Sequence, residues 1–123
     1  MELAQPDTLT SFPQVAPQTF FQTVKLTYKR DKGAPKSVTA ETDAFSKPLS
    51  QAEACIKSWS LRFDNEDHEF HLGECLIERV ELIADNTKVR VTGKLALRDD
   101  SGDWDDTYSG EMEVLVIGIS SGT

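Results

Sequence analysis

LIERVELIADNTKVRVTGKLALR, residues 76–98, is the stretch that decides the fold. Two apolar-polar alternations flank Asp85-Asn86, a pair that tolerates the positive φ of a tight turn, so the stretch reads as a β-hairpin. A two-residue loop places Leu82 opposite Val89 and Val80 opposite Val91, with both apolar pairs on one face. The same register sets Glu81 opposite Arg90 on the other face, a cross-strand pair of ~0.2 to 1 kcal/mol. A slip of one residue would oppose apolar to polar side chains throughout, which is the argument for this register. Lys88, Arg90, Lys94 and Arg98 then form a basic outer stripe that requires an acidic neighbouring strand.

Downstream, residues 95–119 read LALRDDSGDWDDTYSGEMEVLVIGI. A strand enters an acidic, tryptophan-bearing loop and leaves as the most apolar run of the chain. Residues 111–119 lose alternation after Glu113, as expected of a central strand covered on both faces, the second by the N-terminal arm or a partner subunit.

Upstream, residues 20–29 alternate strictly, with Phe20, Gln22, Val24, Leu26 and Tyr28 on one face. Residues 36–41 form a short edge strand guarded by Lys36. Residues 55–63 place Cys55, Trp59, Leu61 and Phe63 on one face, with Trp59 as the expected core aromatic. Between these two runs, residues 42–54 are ambiguous. Ser50 with Glu53 resembles a capping box, and a single helical turn is the most this segment supports. Residues 1–19, with Pro6, Pro13 and Pro17, form an extended N-terminal arm, and residues 20–123 a single domain. The expected class is all-β: an antiparallel β-sandwich, Ig-like or jelly-roll-like, of six to eight strands with at most one short helical turn.

Composition narrows the function. The 123 residues carry a net charge of −8, which argues against nucleic acid as a partner. Residues 1–62 hold 8 Lys/Arg and 6 Asp/Glu while 63–123 hold 5 and 15, so balances of +2 and −10 place the acidity in the C-terminal half. That half would attract cations or a basic protein. No secretory signal or apolar run of membrane-spanning length stands out, and a soluble, cytoplasmic protein is the expectation. Cys55 and Cys75 are too few for a disulfide scaffold and read as two free, buried thiols, the alternative being one bridge.

Asp99, Ser101, Asp103 and Asp105 recur at every second position, an oxygen ladder suited to a hard cation such as Ca²⁺. It is not an EF-hand, because Trp104 and Gly110 stand where that loop needs Gly and Glu. A solvated turn held by local Asx hydrogen bonds is the competing reading. Trp104, Tyr108 and Asp106 supply the aromatic and polar groups of a rim for a carbohydrate or protein ligand, against which stands Trp104 folded back over the core. Asp64, Glu66 and Asp67 join the loop if the connections converge. His68 and His71 fall on opposite faces of a strand and so do not share a metal. Cys75 lacks a nucleophile signature, and no phosphate-binding glycine loop is present. The expected function is a non-enzymatic recognition module with a Ca²⁺-organised acidic loop. Its alternatives are an acidic structural or inhibitory protein that binds a basic partner, or a homo-oligomer assembled through the arm and the final strand.

Overall fold

The computed structural model describes residues 16–31, 36–63, 70–99 and 108–121. These form six strands: β1 (Thr19–Asp31), β2 (Lys36–Glu41), β3 (Leu49–Phe63), β4 (Phe70–Ile83), β5 (Lys88–Asp99) and β6 (Tyr108–Ser120). Two three-stranded antiparallel sheets result, one ordered β1-β6-β3 and the other β2-β5-β4. The described residues contain no helix long and apolar enough to cross a membrane.

The hairpin has the expected register, with Leu82 paired to Val89, Val80 to Val91 and Glu81 to Arg90. Its turn uses left-handed backbone at Asp85 (φ 55°) and Asn86 (φ 65°), and Ala84 adopts it too (φ 54°). The Thr87 amide closes the turn on the Ala84 carbonyl at 3.1 Å. The basic stripe on β5 finds its acids on both flanks. Arg90 pairs with Glu41 of β2 at 3.0 Å and Lys94 with Glu74 of β4 at 3.4 Å. Arg90 thus takes the carboxylate on β2, although Glu81 stands opposite it on β4.

One apolar cluster draws on both sheets. Val24, Leu26 and Tyr28 of β1 and Met112, Val114 and Val116 of β6 join Val89, Val91, Leu95 and Leu97 of β5. A methyl group built on Gly93 of β5 would stand 2.6 Å from Leu26 Cδ1 and 3.4 Å from Met112 Cε. The missing side chain is therefore what allows the backbone of β5 this close to those two residues.

Three expectations are corrected. Residues 49–54 are strand rather than a helical turn: the Ser50 hydroxyl donates to the Ile119 carbonyl at 3.1 Å instead of capping a helix. Trp59 is 60% exposed and not a core residue. Its register partner Met112 is fully buried, but β3 is the edge of its sheet, with no strand beyond it among the described residues to cover a large ring. Cys55 is exposed, not buried, and both thiols are free. The cause is a bulge between Ile56 and Ser58, which inserts one residue and changes the strand's phase. Ala52, Ala54 and Ile56 face the core before it, and Leu61 and Phe63 after it.

Phe45 is a core residue the pattern does not reveal, because it lies between strands. Its ring meets Phe20 at 6.2 Å, and its amide donates to the Thr87 carbonyl at 2.7 Å. Gln22 clamps the same segment by exchanging two hydrogen bonds with the Asp43 backbone, at 3.0 and 3.1 Å.

Candidate functional site

Three connections run between the two sheets at the same end of the strands: β1 to β2 and β3 to β4 from the first to the second, and β5 to β6 back again. Asp31 and Phe63 both pair with Tyr108, while Phe70 pairs with Asp99 across the other sheet. The chain thus departs for residues 64–69 and 100–107 from hydrogen-bonded neighbours. Those two segments contain Asp64, Glu66, Asp67, Glu69, Asp100, Asp103, Asp105 and Asp106, eight of the chain's 21 acids.

Ser101, Asp103, Trp104, Asp105 and Asp106 lie outside the described residues, as do Asp64, Glu66, Asp67 and His68. Asp99 is the last residue of β5. Tyr108 is fully buried, its ring stacked on Tyr28 with centroids 4.8 Å apart and planes 17° from parallel. It therefore anchors the start of β6 in the core. Among the described residues no group of three or more His, Cys, Asp and Glu side chains is placed to hold a metal.

The same end carries a concavity of about 410 Å³ that the motif reading did not anticipate, lined by Thr27, Lys29, Ser60, Arg62, Ser109 and Glu111 with Tyr28 and Gly110. Register explains the lining. Glu111 pairs with Thr27 on one side and Ser60 on the other, and Arg62 pairs with Ser109. Three strands, distant in sequence, thus present hydroxyls and charges on the face turned away from Leu26 and Met112. A second concavity of about 240 Å³ shares Thr27, Tyr28 and Lys29 and continues to Lys36, Ser37 and Val38 of β2. The Tyr28 hydroxyl is buried with no hydrogen-bond partner among the described residues, an arrangement that ordinarily costs ~1 to 3 kcal/mol. Lys25 approaches Glu111 at 3.8 Å, but both side chains are about half exposed, and such a pair contributes little. The available sequence signal was the outward run of Thr27 and Lys29, which acquires meaning only once β3 and β6 flank β1.

Burial, helped by the neighbouring Glu74 carboxylate, pushes the Cys75 thiol above its ordinary pKa. That favours the neutral thiol over the nucleophilic thiolate. No known family model, curated protein or solved structure matches the chain.

Proposed function

We propose that the chain is a non-enzymatic β-sandwich recognition module whose ligand-binding end is the one from which residues 64–69 and 100–107 depart. The carrying observation is the pairing of Phe63 with Tyr108 and of Phe70 with Asp99, which brings the stems of two acid-rich segments side by side. The sandwich arrangement is supported by a core shared between the sheets and by Gly93 lying against Leu26 and Met112.

Asp99, Ser101, Asp103 and Asp105 are the proposed Ca²⁺ ligands, joined by acids of residues 64–69. Eight carboxylates leaving adjacent stems repel one another, and a divalent cation offsets that repulsion while fixing the loops. Trp104 and Asp106 are the proposed ligand contacts, and the concavity of Thr27, Ser60 and Ser109 offers hydroxyls that suit a carbohydrate or a polar peptide. Loops on a fixed frame are where binding groups concentrate.

Calorimetric titration of Ca²⁺ into chelator-treated protein tests the cation. Saturable binding below millimolar Ca²⁺, weakened at least tenfold in the Asp103→Asn, Asp105→Asn double variant, is the expected outcome. Absence of saturable heat, or an unchanged affinity in the variant, would overturn the assignment.

A further inference from the structure

The two sheets differ on the faces they turn away from the core. On β2-β5-β4 that face is laced with charge, by Arg90 with Glu41, Lys94 with Glu74, and Ser37 with Glu78. On β1-β6-β3 the corresponding positions hold Phe21, Leu115, Ile117, Ile119 and Cys55. Register aligns them in three rows: Thr19, Ile119 and Gln51; Phe21, Ile117 and Glu53; Thr23, Leu115 and Cys55. Phe21 is 62% exposed and Cys55 is exposed. The polar groups here form a frame: Lys57 Nζ donates to Thr23 Oγ1 at 3.4 Å, Ser58 to Glu113 at 3.1 Å, and Lys25 faces Glu111.

From this contrast we infer that the outer face of β1-β6-β3 is the interface of a homodimer, with a second copy of the chain as its occupant. Charge decides in favour of self-association. The face holds Lys25, Lys29, Lys57 and Arg62 against Glu53, Glu111 and Glu113, a balance of +1 in a chain of −8. A basic partner would find little to pair with there, and an arbitrary acidic surface would gain nothing. Two copies match, because each brings a nearly neutral face with apolar rows at one end, so the contact avoids the repulsion that two chains of −8 meet elsewhere. The apolar rows also sit toward Ser120, at the end opposite Phe63 and Tyr108, the stems of the acid-rich segments.

The available area sets the strength. Three strands ~4.8 Å apart and 13 residues long, at ~3.3 Å per residue, bound the whole face at roughly 600 Å² per copy. Because the half toward Tyr108 holds the concavity of Thr27, Ser60 and Arg62, the buried total falls below the ~1,200 Å² of stable specific interfaces, which implies a weak, concentration-dependent dimer. This inference is independent of the Ca²⁺ reading, which concerns the other end, and its test is run in chelator so that the two fail separately.

Sedimentation equilibrium from about 5 to 500 µM, spanning weak affinities, provides that test. The mass should rise from 13.7 kDa toward twice that value. Phe21→Glu and Ile117→Glu should hold it at 13.7 kDa throughout, while Thr39→Glu on the other sheet associates like wild type. Circular dichroism checks that each variant folds, and Phe21→Glu, at an already exposed position, keeps the test decisive if Ile117→Glu does not fold. The rate of Cys55 alkylation, followed by peptide mass mapping, should fall as the dimer fills. A constant mass of 13.7 kDa to the highest concentration, association unchanged in folded Phe21→Glu, or association appearing only after deletion of residues 1–15 would each overturn the proposal. The last would mean that the chain's own N-terminal segment covers the face.

Discussion

Ala84 carries a conformational burden its neighbours do not. Asp85 and Asn86 tolerate left-handed backbone because their side chains bond locally, but Ala84, at φ 54°, has only a Cβ in the way, a cost of about 1 kcal/mol or more. Ala84→Gly removes that clash and adds chain entropy to the unfolded state. A net stabilisation of ~0.5 kcal/mol is expected, read as a higher denaturant midpoint with an unchanged slope. The two thiols provide a second residue-scale prediction. Cys55 is exposed, whereas partial burial and Glu74 raise the pKa of Cys75, so iodoacetamide at pH 8 should label Cys55 first. Because the folded pKa of Cys75 exceeds its unfolded value, its contribution to stability is intact below the ordinary thiol range near ~8.5 and is lost as pH rises through the higher folded value. Cys75→Ser should therefore flatten the alkaline limb of the stability profile.

Among the elements, β5 is the most constrained, since it is central in its sheet and packs Val89, Val91, Leu95 and Leu97 into the core. Gly93 sits among them, and Gly93→Ala sets a methyl group 2.6 Å from Leu26 Cδ1 and 3.3 Å from the Leu76 carbonyl. Neither neighbour yields cheaply, and a loss of ~1 to 3 kcal/mol is expected in chemical denaturation. The β4-β5 hairpin was legible in the sequence because register, turn and face are all set by residues close together along the chain. So were the alternation of β1 and the edge position of β2. The phase of β3 was not, since the bulge before Ser58 is a property of its pairing with β6 and leaves no mark in residues 55–63. That single inserted residue explains the misplacement of Cys55. Trp59 failed for another reason: periodicity reports which side of a strand a residue takes, not whether another strand covers it. Phe45 escaped because its partners, Phe20 and Thr87, come from distant parts of the chain.

For the whole molecule, charge and apolar surface are segregated. Acid-rich segments leave the end marked by Phe63, Phe70, Asp99 and Tyr108, and the apolar rows of Phe21, Ile117 and Ile119 lie toward the other. The concavity of Thr27, Ser60, Arg62 and Ser109 was invisible in the sequence for the same reason as the apolar rows: both are assembled across β1, β6 and β3, so neither has a linear motif. With Ca²⁺ and a second copy bound as proposed above, this separation predicts that the two events are uncoupled. The dimerisation constant measured in Ca²⁺ should match that in chelator within about twofold, a coupling of under ~0.5 kcal/mol.

β6 is the last of the six strands in chain order yet occupies the middle of its sheet, with β1 on one side and β3 on the other. The Gln18 amide reaches the Ser120 hydroxyl across 102 positions of sequence. A chain emerging from the ribosome can therefore close the β4-β5 hairpin early, but until residue 108 and beyond are made, β1 and β3 have no strand to lie against. Half of the fold waits on its final tenth, and contacts of such long sequence separation are those that slow folding most.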